Sequence, residues 1–231
     1  MNDKRAGRTA GFTLIEVLLA VFIMTIIMVT IFGSFQLLFS NSEAVEEHLR
    51  IYAMAQGCFY RMTADLTAIQ ITPDSMYQSP EKTDTPDPYR LVCEEMDTDV
   101  EGGRYKLRFA SGAHLPLSGG LPEGIGEITY YVDRMDGVNV LRRSDCQILE
   151  ASPELPRNDP ILCRDVKSLR FLFYDEDGEE HETWDSDADE TGYATPAAIR
   201  LILEMESGGT VHPFETMVAL PVRRLKKENT L

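Results

Sequence analysis

Between Arg8 and Glu43 the chain carries one charged side chain, Glu16, and so long an apolar run leaves few structures open to it. Val17 to Phe39 is a stretch of 23 residues without charge. As a helix rising about 1.5 Å per residue it spans about 35 Å, enough to cross a hydrocarbon core about 30 Å thick. Upstream, Lys4, Arg5 and Arg8 outnumber the single Asp3, which holds the N-terminus in the cytoplasm under the positive-inside rule and sends the rest of the chain out. An ordinary secretory signal peptide has an apolar stretch of about 7 to 15 residues and ends at a small-residue cleavage site. Here the run is longer, and Ser40-Asn41-Ser42 is a poor site. Glu16 stands out because an acidic residue at the bilayer centre costs about 2.5 to 3.5 kcal/mol, so such groups usually have a partner or a task.

The stretch Gly11 to Ala20, GFTLIEVLLA, resembles the processing site of type IV prepilins and type II secretion pseudopilins. The resemblance implies that a prepilin peptidase cuts between Gly11 and Phe12 and methylates the new N-terminal Phe12. It also implies that Glu16 helps the subunit enter a filament. A carboxylate that meets the amine of Phe12 on a neighbouring subunit removes two unpaired charges from the membrane together.

The remaining length supports one exported domain, about 160 residues after the N-terminal helix. Loss of residues 1–11, with three basic side chains and one acidic, takes the net charge from -16 to -18. Such a balance excludes a nucleic-acid partner and suits a solvated acidic surface. Four cysteines, Cys58, Cys93, Cys146 and Cys163, allow three pairings, and a disulfide such as Cys146 to Cys163 suits an exported domain. The CxxC spacing of zinc or redox sites does not occur.

The fold class expected is α+β, a long N-terminal helix on an antiparallel sheet domain. Residues 1–11 form a leader, 12–39 the transmembrane half of the helix, 40–72 its amphipathic half and 73–231 a β-rich domain. Val45, Leu49, Tyr52, Ala55, Phe59, Met62, Leu66 and Ile69 recur at steps of three and four, one stripe on a helix reaching about Ile71. Pro73, Pro80, Pro86 and Pro88 end it. Tyr105, Leu107 and Phe109 alternate with polar residues, as do Ile128, Tyr130 and Val132, and Asp136-Gly137 predicts a hairpin to Val138, Val140 and Leu141. Val166, Leu169, Phe171 and Phe173 predict another strand, turning at Asp175 to Gly178 and closing on Trp184. A last hairpin pairs Ile199 to Met205 with Val211 to Val222, and Arg223, Arg224, Lys226 and Lys227 are expected to form a frayed, solvated basic tail.

His48, His114, His181 and His212 are scattered and belong to no hydrolase, zinc-protease or P-loop pattern, so no enzyme and no cofactor are expected. Asp185, Asp187 and Asp189 have the spacing of an EF-hand start. The sixth position, however, is Glu190 rather than Gly and the twelfth is Pro196, which leaves them weak calcium candidates beside a solvated acidic loop.

Three segments, ITYYVDRMDGVNVLRR, VKSLRFLFYDEDGEEHETW and PAAIRLILEM with the ALPV run that follows, resemble minor pseudopilin J of type II secretion in order and spacing. The acidic stretch DSDADETGYATPAA is longer than that subfamily leads one to expect, and the presence of Glu16 argues against pseudopilin K. The resemblance implies an inner-membrane protein with its C-terminal domain in the periplasm, at the tip of a short pseudopilus. The partners it implies are the prepilin peptidase, pseudopilins I and K, H and the major G, the inner-membrane secretion platform and secreted proteins. Two alternatives stay open: a minor pilin of a type IV pilus or competence system, and a membrane-anchored extracytoplasmic binding domain.

Overall fold

A computed structural model describes residues 11–80, 85–96, 100, 102–103, 105–115, 124–147 and 159–226, without the side chains of 37–45 and 147. Lys4, Arg5 and Arg8, the side chain of Val45 as a stripe residue and Lys227 lie outside that description. The chain divides into two compact units, Met1–Leu49 and Arg50–Leu231. Helix α1 runs from Leu14 to Thr67.

In the first unit the apolar side chains of Leu14–Gln36 are exposed on every side of the helix, the pattern of a segment whose solvent is lipid. Its few hydroxyls are internally satisfied. Thr25 donates to the Val21 carbonyl (2.7 Å), Thr30 to Ile27 (2.8 Å) and Ser34 to Thr30 (2.9 Å), so none enters the bilayer unpaired.

Among its described residues the second unit holds the end of α1 and eleven strands. A seven-stranded antiparallel sheet is built from β1 (Ile69–Gln70), β2 (Val92–Glu95), β3 (Tyr105–Ser111), β4 (Gly126–Met135), β5 (Val138–Gln147), β6 (Ile161–Arg164) and β9 (Trp184–Asp185). Its order is β6-β5-β4-β3-β2-β9, with β1 also on β3. A four-stranded sheet, β11-β10-β7-β8, joins β7 (Val166–Tyr174), β8 (Glu180–His181), β10 (Ala198–Ser207) and β11 (Thr210–Ala219). The α+β class is thus observed, and so are the predicted hairpins. Asp136 (φ 53°) and Gly137 (φ 85°) turn β4 into β5 with positive φ at both central positions, the geometry that matches strand twist. Gly208 (φ 57°) and Gly209 (φ 77°) do the same between β10 and β11.

Alternating side chains fill the core between helix and sheets. Leu107, Phe109, Ile128, Tyr130 and Val132 from the larger sheet, and Leu169, Phe171, Phe173, Ile199, Leu201 and Leu203 from the smaller, are all buried. Val166 and Leu169 stand three residues apart yet share this face because the β7–β10 register shifts at Glu204/Met205; the bulge turns the strand by one residue.

Three expectations need correction. The helical stripe does not pass through Leu49 (64% exposed) and Tyr52 (58%). The buried row is Ile51, Ala55, Cys58, Met62 and Leu66, with Phe59 at its margin. Each residue turns a helix by about 100°, so a row started at Ile51 diverges from one started at Tyr52 although both reach Ala55. The helix stops at Thr67 rather than Ile71 because Ile69 and Gln70 pair with Ser111 and Ala110. The last strand ends at Ala219, not Val222.

Candidate functional site

At the membrane end, the local sequence fixes where α1 begins. Thr13 is its N-cap: the Thr13 carbonyl accepts the Glu16 amide (3.1 Å), and the Thr13 hydroxyl also approaches that amide (3.4 Å). In return Glu16 Oε2 accepts the Thr13 amide (2.9 Å) and the Thr13 hydroxyl (2.8 Å). This is a reciprocal capping box, and its Thr-x-x-Glu signature was legible in the sequence although Thr13 was not singled out. The carboxylate that the sequence left alone in an apolar helix is therefore held by its own chain. It also sits beside the positive end of the helix dipole, where a carboxylate is favoured. Phe12, one residue before the cap, is 87% exposed, and Gly11 is exposed as well. The Gly11–Phe12 bond thus lies outside the helix.

Inside the second unit two buried ionic clusters tie distant segments together. Asp65, on α1 and fully buried, accepts Arg143 Nε (2.7 Å) and Nη2 (3.1 Å) from β5 and the Tyr130 hydroxyl from β4, and pairs with Arg61 one turn earlier. Arg143 Nη1 reaches Asp145 (2.6 Å), which also holds His114 and accepts the Leu115 amide (2.8 Å). Burial alone would lower the Arg143 pKa, but the hydrogen bonds and charge of Asp65, and then of Asp145, raise it above the ordinary arginine value. Sequence reading passed over Asp65, although a carboxylate at a core-facing position of an apolar stripe demands a buried partner.

The second cluster overturns the frayed basic tail. Arg224 is 1% exposed; its Nε donates to the Tyr193 carbonyl (2.6 Å), Nη1 to Asp87 (2.9 Å) and Nη2 to the Ser186 carbonyl. Its backbone exchanges hydrogen bonds with Thr195 (2.8 and 3.0 Å), and its guanidinium carbon lies 3.6 Å from the centre of the Tyr77 ring. Arg223 beside it is exposed, so the charge run hides one core residue among solvated ones.

The calcium candidates serve the same region. Asp185 binds Arg90 through Nε (2.7 Å) and Nη2, which raises the Arg90 pKa. Asp187 takes the Tyr77 hydroxyl and the Asp87 amide (3.0 Å). These oxygens answer protein donors instead of converging with Asp189, and among the described residues no cluster of three or more metal-ligating side chains is found. A cleft of about 390 Å³ opens nearby, walled by Arg90, Asp185, His181, Trp184, Arg224 and Lys226. The Cys93 thiol also borders it, but burial pushes its pKa up to about 12, which removes it as a nucleophile.

Comparison with known proteins decides the family. The family described as type II secretion system (T2SS), protein J matches residues 33–214. The prokaryotic N-terminal methylation motif matches residues 7–32, around the capped helix start. The chain belongs to the type II secretion protein J family. No curated protein gives a significant match. As a type II secretion pseudopilin it has its exposed apolar helix in the place such proteins use for a membrane anchor, and the ionic clusters described above belong to its folded domain.

Proposed function

We propose that this chain is a non-enzymatic minor pseudopilin, anchored in the inner membrane through residues 12–39 with its β-rich domain in the periplasm. Prepilin peptidase cuts between Gly11 and Phe12 and methylates Phe12. At the tip of the pseudopilus the subunit joins pseudopilins I and K, with H and the major G beneath. There it starts assembly on the inner-membrane platform and meets secreted proteins. The observation that carries this reading is the pairing of the two family matches, one over residues 33–214 and one over 7–32, on a chain whose helix is capped at the second residue after the proposed cut.

The capping box adds a mechanism for Glu16. In the free subunit its carboxylate is satisfied by Thr13. In the assembled pseudopilus it exchanges that contact for the Phe12 amine of a neighbour, so the charge is never left unpaired in lipid. Glu16→Leu is therefore inserted and cut normally but does not copurify with its partner pseudopilins.

The deciding experiment is N-terminal and intact mass spectrometry of the protein from inner membranes, with and without its prepilin peptidase. A chain beginning at methylated Phe12 only when the peptidase is present supports the reading. A chain that keeps Met1, or is cut after residue 39, refutes it.

A further inference from the structure

The four cysteines are all thiols in this structure, and their positions separate them sharply. Cys163 lies opposite Leu141 in the β5–β6 ladder. Cys146 is five residues further along β5, about 16 Å away at strand rise, well beyond the reach of about 7 Å between Cα atoms in a disulfide. Cys93 on β2 is separated from β6 by β3, β4 and β5, about 19 Å at the usual strand spacing, and from Cys146 on β5 by about 14 Å. The Cys146–Cys163 pairing that the sequence allowed is thus excluded by register.

Cys58 completes the picture from the helix. It lies on the buried face of α1, two turns before Asp65, and Asp65 is fixed to Arg143 on β5. Two residues back along β5 from Arg143 is Leu141, the ladder partner of Cys163. The Asp65–Arg143 contact therefore registers the helix so that Cys58 arrives over Cys163, and both side chains lie in the same buried core cluster. Both are almost fully buried, Cys58 at 1% and Cys163 at 3%.

We propose that Cys58 and Cys163 form a disulfide in the exported protein, covalently joining helix α1 to the sheet-edge strand β6. The inference rests on export of the domain as proposed above. The oxidant is a disulfide-carrying protein or small molecule of an oxidising compartment. One cysteine thiolate attacks its disulfide, releasing one oxidant thiol and forming a mixed disulfide; the second cysteine displaces the other oxidant sulfur as a thiol. Two electrons pass to the oxidant, its two sulfurs leave as thiols with the two protons, and one S–S bond remains in the protein.

Burial sets the timing. In the closed domain both sulfurs are buried, Cys58 at 1% and Cys163 at 3% exposure, out of reach of an oxidant. The bond forms while the domain is still folding. It closes a loop of about 105 residues, on the scale where a crosslink most constrains the unfolded chain. Its use follows from the proposed assembly: a subunit drawn from the membrane is pulled along α1, and the bond ties the pulled element to the sheet.

The full-length protein is taken from inner membranes into an alkylating reagent without reductant and digested, and its N-terminus is read from the same digest. The expected result is tryptic peptides 51–61 and 158–164 joined through Cys58 and Cys163, with Cys93 and Cys146 alkylated. A chain that begins at Phe12 but has Cys58 and Cys163 alkylated, or bonded elsewhere, overturns the disulfide and leaves the pseudopilin reading intact. A second arm is independent of export: the reduced, denatured full-length chain is refolded in detergent with oxidised glutathione. Cys58–Cys163 should dominate the products; predominance of another pair, or none, overturns the proposal. Thermal unfolding gives a further check, since the wild type should lose melting temperature on reduction and Cys58→Ser/Cys163→Ser should not.

Discussion

Removing the carboxylate of Asp65 tests the central cluster most directly. In Asp65→Ala, Arg143 loses two of its charge-assisted hydrogen bonds, at 2.7 and 3.1 Å, the Tyr130 hydroxyl loses its acceptor, and Arg61 loses its ion-pair partner. The Arg143 side chain is 3% exposed, so water cannot replace what is lost, and Asp145 (2.6 Å) is the charge left to balance it. Breaking a buried pair by deleting one partner costs about 3 to 5 kcal/mol. For a domain of this size that lowers the melting temperature by about 6 to 20 °C. Exposed pairs set the contrast: Lys106 and Glu94, 33% and 43% exposed, should lose about 1 kcal/mol or less in Lys106→Ala. The assay is urea unfolding of the full chain in detergent, read by the fluorescence of Trp184, the one tryptophan, which is 4% exposed and donates to the Ala194 carbonyl (3.0 Å). In the double variant Asp65→Leu/Arg143→Met the effects should be non-additive by about 1 kcal/mol or more, because no unpaired guanidinium remains. A loss below about 1 kcal/mol in Asp65→Ala would falsify the view that this pair is sealed from solvent.

Three further outcomes follow from the same geometry. Arg224→Ala should cost about 3 kcal/mol or more by stranding Asp87 and freeing the C-terminal segment, while Arg223→Ala, exposed beside it, leaves the urea midpoint unchanged. Gly102→Ala places a Cβ 1.9 Å from the Lys167 carbonyl oxygen at φ +79°, so it should destabilise by about 1 to 3 kcal/mol or more; Gly208→Ala, with open space around it, should cost less. Asp175 loses a little hydration on folding, but the Glu179 amide (2.8 Å), His181 and the Asp177 amide (3.0 Å) together hold its pKa below the ordinary 3.8. A depressed folded pKa means a contribution present above that ordinary value and lost as the pH falls through the folded one, so Asp175→Asn should flatten the fall in melting temperature below about pH 4.

Much of this architecture was legible because its strands have two unlike faces. Period-two alternation marked Ile128, Tyr130 and Val132, and the turn pair Asp136-Gly137 marked the hairpin that follows them. Strands β2, β6 and β9 were missed because two to four residues carry no measurable period. The helical stripe failed in its first half because two apolar rows, through Ile51 and through Tyr52, compete there; tertiary contact selects the first, and Tyr52 instead packs edge-on to Phe214 at 5.0 Å. At the membrane end, the capping box that holds Glu16 was written in four consecutive residues. The role of Arg224 was not, since its acceptor Asp87 lies 137 positions away and a run of cations reads as solvated whichever member is buried.

The buried charges are explained better by register than by stability. An apolar row such as Ile51, Ala55, Cys58, Met62 and Leu66 repeats every seven residues, and hydrophobic contact alone distinguishes poorly between one alignment on the sheet and another displaced by two turns. Asp65 breaks that degeneracy. In the observed alignment it meets Arg143 and Tyr130; displaced by two turns, the helix would take Asp65 away from both, leaving the Tyr130 hydroxyl without its acceptor and Arg143 with only Asp145 to balance it, at several kcal/mol. Replacing the pair by apolar side chains could then preserve the stability of the domain while losing the unique placement of α1. For a subunit whose helix is the proposed assembly element, that placement sets how the domain is presented to its neighbours.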